Sequence, residues 1–166
     1  MYLGAEKIKK KIKEEKLVEN YIHLDTQLKE NNFDLTVSSI SEIKGKGEVD
    51  FSDKERHIPK ANPVQPRKKN PEDKYGWWML PKGNYVAKTN EKLNIPKGTI
   101  AILQPRLSLL QSGLNIPLRI ITQTKGTEVH FNLAVTTHNG FEIKENARII
   151  STTFIEPKGN KGYGGY

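Results

Sequence analysis

Thr99-Ile100-Ala101-Ile102-Leu103 runs directly into Gln104-Pro105-Arg106-Leu107-Ser108-Leu109-Leu110-Gln111-Ser112-Gly113-Leu114. The first of these stretches reads as a short apolar strand, set off by the turn Ile95-Pro96-Lys97-Gly98. The second places Arg106 and Ser108 on either side of Leu107, which can neither donate nor accept a side-chain hydrogen bond. Further short strands lie on both sides. Upstream are Phe33–Val37, Trp77–Leu80 and Tyr85–Ala87; downstream are Val129–Thr137, Phe141–Ile143 and Arg148–Ile155. His138-Asn139-Gly140 sits between two of them. Asn-Gly between apolar alternations predicts a hairpin, because both residues tolerate positive φ. One helix is predicted over Gly4–Lys16, with Ile8, Ile12 and Leu17 at helical spacing and lysines on the other face. Many short strands after a single short helix define an all-β sandwich or jelly roll. No internal repeat is visible.

Composition narrows the function classes. A chain of 166 residues is enough for one domain with its own core. Mean hydropathy is −0.66, and no apolar run approaches the length of a membrane span. The N-terminus lacks the apolar core of a secretion signal, so a soluble intracellular protein is expected. There is no cysteine, which excludes disulfides, thiolate catalysis and cysteine-ligated zinc. His23, His57, His130 and His138 show no close metal-ligand spacing and read as surface or strand residues. Net charge is +8. Arginine occurs only as Arg56, Arg67, Arg106, Arg119 and Arg148, so most of the 27 basic residues are lysine. Lysine gives a diffuse positive field rather than bidentate recognition. Abundant Lys and Glu without Cys also fits a thermophilic source.

Residues 1–157 read as one domain. Within it, residues 52–74 form a basic insertion punctuated by Pro59, Pro63, Pro66 and Pro71, a density that predicts a long extended loop. Trp77-Trp78 follows, read as core or subunit interface. Residues 158–166 form a Gly/Tyr-rich arm expected to be flexible unless it binds something.

The order of these pieces resembles the dUTPase / dCTP deaminase superfamily. The shared features are the Leu/Ile-rich helical opening at Leu3–Ile12, the strand Asn32-Phe33-Asp34-Leu35-Thr36-Val37 and the turn Leu80-Pro81-Lys82-Gly83. To these add the strand entry Leu93-Asn94-Ile95-Pro96, the Arg106–Leu114 signature, Arg148 in the last strand, and Lys161-Gly162-Tyr163-Gly164-Gly165-Tyr166 at the end. The resemblance implies a distorted jelly roll, usually assembled as a homotrimer. It assigns nucleotide and phosphate binding to Arg106, Ser108, Arg148, Gly162, Gly164, Gly165 and Tyr166, with the arm folding over a neighbouring subunit's site. Asp34 corresponds to a residue that arranges metal-bound water, and Mg²⁺ accompanies the diphosphatase activity.

Several working residues of the family are replaced. Leu107 stands for a serine and Gln111 for an arginine; Ser151 stands for a glutamine. In the segment aligned on Ile120-Ile121 and Gly126, Thr122 takes the place of the dUTPase Asp and Asn132 that of the deaminase Glu. Neither can act as a general base near neutral pH, and losing such a group typically lowers the rate by about 10²–10⁴. Three readings follow. The first is a non-catalytic trimeric structural or binding module, for example part of a viral particle or of another protein assembly, located in the cytoplasm or the virion. The alternative is an active dUTP diphosphatase with Mg²⁺, with Asp34 retained and Glu128 as base; a dCTP deaminase fits less well. The third is a nucleic-acid-binding β protein, on the strength of the net charge and Arg67-Lys68-Lys69.

Overall fold

The computed structural model describes residues 1–157. Helix α1 (Ala5–Glu15) buries Ile8 and Ile12 and leaves Lys7, Lys9, Lys10 and Lys13 to solvent, while Lys11 pairs with Glu15 and Glu156. It is followed by strand β1 (Val18–Glu19), the single-turn helix α2 (Leu24–Gln27) and strand β2 (Phe33–Ile43). Then come β3 (Ala61–Pro63), β4 (Trp77–Leu80), β5 (Gly83–Leu93) and β6 (Ile100–Pro105). A short helix α3 (Leu107–Gln111) precedes β7 (Leu114–Asn115), β8 (Arg119–Thr122), β9 (Thr127–Val135), β10 (Phe141–Lys144) and β11 (Arg148–Ile155).

The fold is mainly β, as the strand spacing predicts. Its large antiparallel sheet runs β7-β9-β5-β2-β11-β6-β8, with β1 added to β5 and β3 to β2. The sheet curls because β2 and β5 are long and bent. The first half of β2 pairs with β11 (Phe33↔Thr152 to Thr36↔Arg148), and its second half pairs with β5 (Val37↔Thr89 to Glu42↔Tyr85). Register shifts fall at both changes of partner, between Arg148 and Ile150 and between Val37 and Ser39. Such bulges bend a strand and raise its twist. The inward faces enclose one apolar core that includes Phe33, Leu35, Trp78, Tyr85 and Phe154. Trp78 satisfies its indole N–H on the Val64 carbonyl at 3.0 Å.

Three local expectations need correction. The Asn139-Gly140 turn forms, but it does not close a hairpin. At Val135 both edges of β9 are occupied, by Gly83 of β5 and Leu114 of β7. The chain therefore leaves the sheet, and β10 pairs with β4 in a separate two-stranded ribbon. Residues 52–74 are not wholly loop: Ala61–Pro63 joins the edge of β2, and Arg67 bridges Trp77. Proline is tolerated there because an edge strand needs no donor on its outer side. Helices α2 and α3 supplement the single predicted helix; both are too short for hydrophobic periodicity to reveal.

The turn makes a specific demand on Gly140. Its φ is +78°, and a Cβ at this position would lie 2.5 Å from the Leu80 carbonyl oxygen. Gly98 has a similar φ of +83° but faces open space. Gly98→Ala is expected to carry only the backbone strain, roughly 1–3 kcal/mol. Gly140→Ala adds the clash, so its melting temperature should fall several degrees further, at about 2–4 °C per kcal/mol for a chain of this size. Equal melting temperatures for the two variants would contradict the packing described.

Candidate active site

Register across three strands assembles the site. Asp34 of β2 is paired with Ser151 of β11, and Ser151 with Gln104 of β6. Residues directly opposite one another project to the same face, so these three form a polar row across the sheet. The chain then leaves β6 at Pro105, and the Arg106 N–H donates to the Ile149 carbonyl at 3.2 Å. That bond turns Arg106 back over the row.

Asp34 is only 3% exposed, yet it is charged in character and must be compensated. Arg148 Nη1 lies 3.2 Å from Asp34 Oδ2, and Arg106 Nε lies 3.6 Å from the same oxygen. Arg148 Nη1 also donates to the Thr26 carbonyl at 3.1 Å, and Arg106 Nη1 to the Arg148 carbonyl at 3.3 Å. Burial pushes the Asp34 carboxyl above the usual carboxylate range, against the opposing pull of Arg106, Arg148 and Lys29.

This group opens onto a cleft of about 530 Å³ lined by Lys29, Asn32, Asp34, Gln104, Arg106 and Ser151, together with Leu107 and Leu110 from α3. Cations outnumber the carboxylate here, so the cleft favours an anion. Asn32 donates its amide N–H to Ser151 Oγ, while its Oδ1 is buried without a partner.

A second buried carboxylate stands behind the first. Glu91 of β5 is fully buried. It accepts from the Thr36 N–H (2.8 Å), Thr36 Oγ1 (2.7 Å) and Gln27 Nε2 (2.7 Å). Burial raises its pKa, and the bonds from Thr36 and Gln27 act the other way.

The remaining sequence-predicted residues lie elsewhere. Ser108 is exposed on α3 and does not line the cleft; its carbonyl accepts from Ser112 Oγ at 2.7 Å. Leu107, 69% exposed, faces the cleft instead. Glu128 lies on β9, where Lys88 Nζ at 2.8 Å holds its carboxyl below the usual range; it is not among the residues lining this cleft. Gly162, Gly164, Gly165 and Tyr166 lie outside the described residues. Among the described residues no group of three or more His, Asp or Glu side chains could hold a metal ion. The face of Trp77 is approached by two ammonium groups, Lys69 at 4.0 Å and Lys144 at 5.5 Å.

Sequence reasoning missed Lys29, Asn32, Gln104, Gln27 and Glu91. For Glu91 a signal was present. The alternation Tyr85, Ala87, Thr89, Glu91, Leu93 places it on the core face of its strand.

An antiparallel β protein with an arginine-flanked carboxylate in a cationic cleft defines a class suited to phosphorylated ligands. The chain matches the family model described as dCTP deaminase-like over residues 2–156, and it belongs to that family. It is 34% identical to a protein of Archaeoglobus fulgidus named "Probable deoxyuridine 5'-triphosphate nucleotidohydrolase", over 98% of this chain and 93% of that one. A Methanosarcina mazei protein of the same name is also 34% identical, over 98% and 94% of the two chains. In fold, the chain is similar to the 2'-deoxycytidine 5'-triphosphate deaminase of Agrobacterium tumefaciens, with a TM-score of 0.65 and 14% identity. That match covers 92% of this chain but only 47% of the deaminase.

The relatives overturn the expectation of a non-catalytic module. Near-complete coverage by proteins named as nucleotidohydrolases points to an enzyme. Thr122 ends β8 and Asn132 lies on the outer face of β9, both exposed and neither lining the Asp34 cleft. Their identities therefore leave the composition of that cleft undetermined.

The Glu91 shift gives a signed pH dependence. Burial holds its carboxyl above the ordinary value of 4.5, so the folded chain binds this proton more tightly than the unfolded chain does. The resulting stabilisation is fully present below the unfolded value and is lost as pH rises through the folded one. Glu91→Gln removes that loss. The melting temperature of the variant relative to the parent should therefore increase as pH rises above 4.5 and level off once the folded carboxyl has ionised; a constant offset would contradict the assignment.

Proposed function

We propose that this protein hydrolyses dUTP to dUMP and pyrophosphate. The observation that carries this reading is the 34% identity, across nearly the whole chain, to proteins named deoxyuridine 5'-triphosphate nucleotidohydrolase. The cationic cleft supports it. Arg106 and Lys29 line the cleft and present cations suited to phosphate oxygens, while Arg148 does not line it but lies 3.2 Å from the Asp34 carboxylate beside it. Among the described residues, Asp34 is the one carboxylate lining this cleft. Phosphate oxygens compete with it for the arginines, which leaves Asp34 to orient the attacking water and draw its proton. The water oxygen bonds to phosphorus as pyrophosphate departs.

A divalent cation, if bound with the substrate, would find Asp34 as its protein-side carboxylate and would supply charge neutralisation of the phosphates. Asp34, already engaged by two arginines, fits such a shared role better than that of a sole ligand. A homotrimer is part of the reading. Ile100, Leu118 and Ile120 remain exposed around β6 and β8, a surface suited to burial against another subunit. A hydrolase of free nucleotides works in the cytoplasm, where its substrate is.

The purified protein with dUTP and Mg²⁺ should release pyrophosphate. Arg106→Met and Arg148→Met should each lower kcat/KM by about 10²-fold, the scale of losing one preorganised electrostatic partner. No pyrophosphate above the enzyme-free blank would contradict the proposal.

A further inference from the structure

We propose that Glu91 is a positioning residue for Asp34 and Arg148, acting through Gln27 and Thr36. The proposal rests on dUTP hydrolysis at the Asp34 cleft and adds a residue that never reaches the substrate.

The hydrogen bonds around Glu91 have a fixed direction. Gln27 Oε1 accepts from the N–H groups of Ile22 (2.7 Å) and His23 (2.9 Å), which leaves its Nε2 to donate. One Nε2 hydrogen goes to Glu91 Oε1 at 2.7 Å and the other to the Asp34 carbonyl at 2.9 Å. Every hydrogen-bonding position of this buried amide is thus used. Thr36 Oγ1 accepts from Asn90 Nδ2 at 2.9 Å, so its own proton points to Glu91. The Thr36 N–H donates to Glu91 Oε2. Three donors converge on Glu91, and none can reverse without breaking a second bond.

The consequences reach the site along two routes. Along β2, Gln27 holds the Asp34 carbonyl and Glu91 holds the Thr36 N–H. The backbone is therefore pinned on both sides of Leu35, and the Asp34 side chain projects from a fixed point. Along α2, Gln27 fixes the adjacent Thr26, whose carbonyl receives Arg148 Nη1. A single-turn helix has little stability of its own, so the Gln27 side chain determines where that carbonyl lies. The same Nη1 contacts Asp34 Oδ2. Glu91 therefore anchors both members of an ion pair that it does not touch.

An amide at position 91 keeps the shape but places an N–H against a donor. Glu91→Gln is therefore the discriminating variant, because a role limited to filling the core would survive it. Misplacement of reacting groups by even part of an ångström is expensive in rate. We expect Glu91→Gln to fold and to lower kcat/KM for dUTP by about tenfold. Introduced into Arg148→Met, the same change should cost clearly less than about tenfold, since the route through Thr26 is then lost while the route along β2 to Asp34 remains.

Thr36→Val removes one of the three bonds to Glu91 isosterically, together with the Asn90 bond to the same hydroxyl, whose Nδ2 keeps Val37 and Asn146 as partners. It serves as the second variant if Glu91→Gln does not fold, with a loss of about threefold, the scale of a single net hydrogen bond. Parent-like kcat/KM in the variant that folds, or a penalty that adds in full to that of Arg148→Met, overturns the positioning role and leaves the proposed reaction standing. If the parent protein releases no pyrophosphate from dUTP, both proposals fall together.

Discussion

A carboxylate removed from water must find compensation, and that constraint organises one side of this molecule. Asp34 finds it in Arg106 and Arg148, which come from different parts of the chain. The pairing exists only because β2, β11 and β6 are adjacent and in the observed register. A shift of one residue would turn Asp34 into the core and Leu35 or Phe33 toward the cleft. Strand order, register and site are therefore a single structural fact. The bulge between Arg148 and Ile150 belongs to it, since it falls where Arg148 must turn toward Asp34.

Glu91 meets the same constraint by other means. No cation lies among its hydrogen-bond partners; hydroxyl, amide and backbone N–H groups surround it instead. Such a network is rigid because it is fully satisfied, and vulnerable because any missing member leaves a buried charge exposed to an apolar medium. Two carboxylates, one held by cations and one by dipoles, thus give the cleft a charged front and an inflexible support.

Much of the fold was legible in the sequence. Ile8 and Ile12 marked the face that α1 buries, and most strands followed from short apolar runs between Gly, Pro and Asn. The misreadings share a cause, namely that local patterns do not state which edges are free. Asn139-Gly140 has hairpin chemistry, but β9 has no edge to offer. Ala61–Pro63 has loop chemistry, but β2 offers an edge that tolerates it. In the site, Asp34, Arg106 and Arg148 were visible as single residues, whereas their convergence is a product of register. Glu91 and Gln27 carry no local signature beyond strand alternation. The non-catalytic reading is overturned by the relatives rather than by any local pattern, since it judged chemistry from single aligned positions such as Thr122 and Asn132.

The central claim is that the pair of arginines around Asp34 is the place where a nucleotide's phosphates are held. A crystal structure of the protein with Mg²⁺ and a non-hydrolysable dUTP analogue tests it most directly. The account predicts phosphate oxygens within hydrogen-bonding distance of both Arg106 and Arg148. An analogue seated elsewhere, with the two guanidinium groups still turned to Asp34 alone, would contradict it.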